Sequence, residues 1–103
     1  MFNGYNAFKR INENPIIIDL TGCKYLGEIH AILKEKFGLP EYYGENWDAL
    51  WDCLDGLFDY KISVNIKGLN SLNKELRENC KKMIEVFDDL KTKTPEFTYE
   101  IIS

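Results

Sequence analysis

The chain has 103 residues, 45% of them hydrophobic and 29% charged, which is the make-up of one globular domain able to bury a core without a metal or disulfide. The formal net charge of −4 hides a division: residues 41–59 hold six carboxylates and no Lys or Arg, leaving 11 acids against 13 bases elsewhere. A patch of that sign repels phosphate backbones, which argues against direct nucleic-acid binding through it, and attracts a basic protein surface.

In chain order, residues 1–14 are polar and turn-rich and are expected to form a flexible extension ahead of a single domain over 15–103. They lack an apolar signal region, and no later run nears the length of a membrane span, so the expectation is a cytoplasmic protein without membrane contact. "PIIIDL" (residues 15–20) reads as a buried strand, followed by a turn at Thr21 and Gly22. The period then changes. Leu26, Ile29, His30, Leu33 and Phe37 mark one face of a first helix, stopped by Gly38 and Pro40. After a loop, Asn46 is a candidate N-cap for a second helix with Trp47, Leu50, Trp51, Cys53 and Leu54 as its apolar set, and Gly56 suits a left-handed residue at its end. "KISVNI" (residues 61–66) alternates as a strand. A short helical piece over 70–76 and a longer helix to Thr92, ended by Pro95, follow, the latter with Met83, Ile84, Phe87 and Leu90 inward. "FTYEIIS" closes the chain as a strand. The order favours an α/β fold, a small, mostly parallel sheet with about four helices packed against it. The three cysteines are an odd number without CxxC or Cys/His ligand spacing, so reduced thiols are expected, Cys53 among the core, and neither a disulfide framework nor a zinc site.

The second helix breaks local rules. Asp48 and Asp52 are four apart and therefore neighbours of like charge, which weakens an isolated helix by a few tenths of a kcal/mol. Asp48 in the first turn suits the helix dipole, whereas Asp52 and Asp55 lie toward the end where cations are favoured. Each aspartate alone reads as an ordinary solvated side chain. Broken together, these preferences point to a site whose compensation comes from a cationic partner. Leu50, Cys53 and Leu54 set the core direction, placing Trp51 at the border beside the carboxylates. With Tyr42 and Tyr43 in the preceding loop it reads as an interface anchor, although such aromatics serve as core residues about as often.

Catalytic readings are weaker. His30 sits on an apolar helix face with no nucleophile or metal ligand adjacent in sequence, as a hydrogen-bonded structural histidine does. Asp48 with Asp52, or Glu45 with Asp52, would need one desolvated carboxyl and a sugar-sized cleft to act as a glycosidase pair. The calcium-loop, phosphate-loop, dinucleotide and HExxH motifs are missing from the sequence, so no cofactor, metal or catalytic residue is assigned.

The stretch "LPEYYGENWDALWDCLDG" closely resembles the signature of the barstar family, intracellular inhibitors of barnase-type ribonucleases, and "IHAIL", "EVFDDLK" and "IIS" extend the likeness over roughly residues 15–103. The resemblance implies a three-stranded parallel sheet with helices against it, and a second helix that plugs a bacterial extracellular guanyl-preferring ribonuclease in a 1:1 complex, the free form being a monomer. It implies that Asp52 enters the enzyme's phosphate-binding site and that Asp48 pairs with nearby cations. Tyr42 and Trp51 are then aromatic contacts, and Gly44 and Asn46 backbone or polar contacts, with Tyr43 beside them; Asp89 stands where the family has a glutamate. Leu57 replaces a tryptophan of the best-known member and Lys93 an acid. The alternative is an interaction module of the same fold with a basic partner that is not a ribonuclease.

Overall fold

A computed structural model describes residues 14–56 and 61–102. Leu57 and all of the expected extension except Asn14 lie outside them. The elements are β1 (Ile16–Asp19), α1 (Leu26–Phe37), α2 (Trp47–Leu54), β2 (Ile62–Lys67), α3 (Lys74–Lys93) and β3 (Phe97–Ile101), with a 3-10 turn at Leu69–Ser71. The strands lie in the order β1-β2-β3 and both pairings are parallel, Ile16 beside Val64 and Ile62 beside Phe97.

Both crossovers step the same way across the sheet, so right-handed connections bring their helices to one face. The central strand shows this by its burial: Ile62, Val64 and Ile66 are buried, while Ser63 and Lys67 are exposed on the opposite face. The buried set continues into Ile16 and Ile18 of β1, Leu33 and Phe37 of α1, Leu50 and Leu54 of α2, and Met83, Phe87 and Leu90 of α3. Phe87 lies at its middle, its ring centroid 6.1 Å from Phe37 and 5.7 Å from Phe97.

Among the described residues there are three α-helices, not about four. The segment expected as a short helix over 70–76 is divided between the 3-10 turn and the first turn of α3. Leu72 is extended between them, and Asn73 caps α3 by accepting from Leu76 N at 2.9 Å. That Asx cap starts a new helix where helical spacing alone suggested a continuous piece. The inward face of α3 is also wider than read, taking in Leu76, Cys80 and Val86, with Ile84 only half-buried. All three cysteines are free; Cys23 and Cys80 are buried, whereas Cys53, expected in the core, is half-buried at its edge. Burial pushes the Cys80 thiol up to about 11. Asn14 is tied to β2, its Oδ1 accepting from Ser63 N at 3.0 Å and its Nδ2 donating to Lys61 O at 2.9 Å.

Candidate functional site

The loop between α1 and α2 begins with a firm stop. Gly38 is left-handed (φ 64°), its N–H and that of Leu39 closing onto the carbonyls of Glu35 and Lys34, and Leu39 is buried. A turn then brings Tyr43 N to Pro40 O at 3.0 Å. The two tyrosines part here. Tyr42 is 75% exposed, whereas Tyr43 is only 6% exposed and its hydroxyl lies 2.7 Å from His30 Nδ1. Tyr43, expected among the contact residues, therefore has its side chain in the core, where it holds the loop to α1. The His30 ring also lies 4.5 Å from that of Trp47, so one imidazole braces both the loop and the start of α2.

Burial draws His30 below its ordinary value of 6.5, with the Glu45 carboxylate opposing. The unfolded chain then binds the proton more tightly than the folded one. The stability this group contributes is present above pH 6.5 and is lost as pH falls toward the folded-state value, with a slope of at most about 1.4 kcal/mol per pH unit. Urea titrations of the wild type and His30→Gln between pH 7.5 and 5.5 are expected to show a decline in the wild type that the variant lacks; parallel curves would exclude His30 as its source.

Beyond Tyr43 the backbone is shaped for the helix. A Cβ at Gly44 would meet only ordinary contacts, 3.4 Å to Asn46 and 3.5 Å to Ala49, and the residue has no positive φ, so nothing among the described residues requires a glycine there. What the missing side chain leaves is accessible backbone. Glu45 is left-handed at φ 53°, a conformation that costs a non-glycine residue about 1–2 kcal/mol. Asn46 then caps α2, its Oδ1 accepting from Ala49 N at 2.7 Å and its Nδ2 donating to Gly44 O at 3.3 Å.

Along α2, Leu50 and Leu54 are buried, Trp47 and Trp51 are half-buried, and Asp48 and Asp52 are exposed. The helix rests mainly on α3, and between the two runs a groove of about 640 Å³ lined by Trp47, Asp48, Trp51 and Asp52 from α2 and Lys82, Glu85, Val86 and Asp89 from α3. The structure thus brings Asp48, Trp51, Asp52 and Asp89 together, with Tyr42, Gly44 and Asn46 in the loop leading to them. Sequence reasoning missed Trp47, Lys82, Glu85 and Val86 as groove residues. Lys82, Glu85 and Asp89 do share a helical stripe, but charged residues at that spacing are common, and only the packing of α2 on α3 sets them opposite the aspartates.

The acidic run is partly neutralised from within. Lys34 pairs with Glu41 at 3.1 Å. Lys93 grips Asp55, its Nζ 2.9 Å from Oδ1 and 3.0 Å from Oδ2, and stands 5.6 Å from the Trp51 ring centroid. The expectation that Asp55 awaits a partner's cation is therefore corrected: α3 supplies it. Glu45, Asp48 and Asp52 have no ion pair among the described residues. The two aspartates are also too exposed to provide the desolvated acid of a glycosidase. Among the described residues no group of three or more His, Cys, Asp or Glu is placed to hold a metal ion, and no helix is long and apolar enough to cross a membrane.

The described residues thus form a parallel α/β domain whose α2 and α3 enclose a groove lined by two tryptophans, four carboxylates, a lysine and a valine. A family model described as "Barstar (barnase inhibitor)" matches residues 14–101. A Bacillus subtilis (strain 168) protein named "Putative ribonuclease inhibitor YrdF" is 36% identical over 74 residues, which cover 72% of this chain and 81% of that protein. The chain belongs to the barstar family.

Proposed function

We propose that this protein is a stoichiometric inhibitor of a bacterial extracellular guanyl-preferring ribonuclease of the barnase type, held in the cytoplasm to protect the cell's own RNA. The observation that carries the reading is the exposed Asp48 and Asp52 pair, which has no ion pair among the described residues and lines one groove with Trp51 and Asp89. A ribonuclease must direct Arg, Lys and His toward phosphate. Carboxylates aligned on a rigid helix satisfy the same donors without presenting a bond that can be cleaved. Tyr42 supplies an exposed ring at the rim, and Gly44 bare backbone that an enzyme loop can approach. Asn46 contributes by fixing the start of α2, and Tyr43 by anchoring the loop from behind. The protein acts without a catalytic residue or cofactor, as a 1:1 plug, and is monomeric when free.

Purified protein mixed at equimolar concentration with a barnase-type ribonuclease is expected to abolish RNA hydrolysis. Full remaining activity across such enzymes would reject the proposal. Capture of a basic protein without nuclease activity would favour an interaction module instead.

A further inference from the structure

Lys82 stands in the groove among four carboxylates, Asp48 and Asp52 across from it and Glu85 and Asp89 on its own stripe of α3. No carboxylate among the described residues lies within ion-pair distance of it. Glu78, four residues before it, and Glu85, three residues on, are the partners a helix ordinarily offers. The neighbouring Lys81, outside the groove, does pair with Glu78, at 3.0 Å. Lys93, at the far end of the stripe, is engaged by Asp55 and Trp51. Lys82 thus does not offset the groove's acids through an ion pair, and its charge works against the capture of a uniformly basic face.

We propose that Lys82 is a specificity determinant of the groove: the partner it selects is a basic protein that carries a carboxylate facing Lys82, amid the cations that meet Asp48, Asp52 and Asp89. Recognition is then by charge pattern, and a partner with a cation at that point is rejected by like-charge contact. The inference rests on the inhibitor reading above.

The test measures inhibition constants of the wild type, Lys82→Glu, Lys74→Glu and Asp52→Ala against a panel of purified barnase-type ribonucleases, barnase included. Lys74 is exposed in the first turn of α3 and outside the groove, so its variant reproduces the change in net charge alone. For the enzyme that the wild type holds most tightly, Lys82→Glu is expected to weaken inhibition by about tenfold or more, as like-charge contact in an interface does. The ranking of the panel should compress at the same time, while Lys74→Glu moves all members in parallel. If Lys82→Glu tightens every complex, or shifts them all as Lys74→Glu does, Lys82 merely tempers the groove's charge and the proposal fails. The wild type and Asp52→Ala together keep the two failures apart. Absence of inhibition by the wild type across the panel would reject the inhibitor reading itself, whereas, where the wild type inhibits, loss with Asp52→Ala and none with Lys82→Glu would reject only the role of Lys82. Matching melting temperatures of the variants confirm that each compares folded protein.

Discussion

Asp52→Ala is expected to weaken the complex with the proposed ribonuclease by at least about 2 kcal/mol, roughly 30-fold in Kd, while leaving the fold intact. That hot-spot threshold is carried over from interface surveys in which a barstar-family aspartate is itself a type case, and is not obtained from this groove. The reasoning for this chain is one of separated environments. Asp52 is exposed, has no ion pair among the described residues and lies toward the helix end that disfavours anions. Removing it takes away a repulsion with Asp48 in the free protein, so stability should stay the same or rise by a few tenths of a kcal/mol. In the complex the same carboxylate meets cations in a desolvated setting, where truncation leaves them unpaired. Inhibition titrations and thermal melts on one preparation check both halves. An unchanged Kd, or a melting temperature that falls in step with affinity, would show that Asp52 is no interface residue.

Leu50→Ala should do the reverse. Leu50 is fully buried, two residues before Asp52 on the same helix, and deleting its branch leaves a cavity costing about 2–5 kcal/mol. Against a total stability of about 5–15 kcal/mol for a domain of ordinary size, that is enough to place much of the chain near its unfolding transition. Binding should then fall only through the loss of folded protein. A titration corrected for the active fraction is expected to return the wild-type Kd, and chemical denaturation to show a lowered midpoint with the same slope. A weakened intrinsic Kd with normal stability would mean that Leu50 touches the partner.

The contrast between these two positions was legible in the residue spacing, because the period of a helix sorts side chains by direction. The same local logic predicted the face of α1 from Leu26 to Phe37 and the cap at Asn46, each set by residues within a turn or two. It failed where adjacent residues lack a period. Nothing in "EYYGEN" distinguishes Tyr42 from Tyr43, and only the turn closing on Pro40 sends one ring to solvent and the other to His30. It failed again over residues 70–76, where Asn73 restarts the backbone.

The strands, the helices apart from the short piece over 70–76, and the placing of Asp48 and Asp52 on an outward stripe were therefore available from the amino-acid order alone, since each depends on backbone periodicity and short-range capping, and the sequence of elements favoured a mostly parallel sheet. The partners of those charges were not. Asp55 is neutralised by a lysine 38 residues away, and the second wall of the groove, Lys82, Glu85 and Asp89, comes from a different helix. Those relations follow from how α2 settles on α3 through Leu50, Leu54 and their neighbours. That side-chain packing is a long-range fit, and it decides which carboxylates the molecule satisfies itself and which it leaves for another protein.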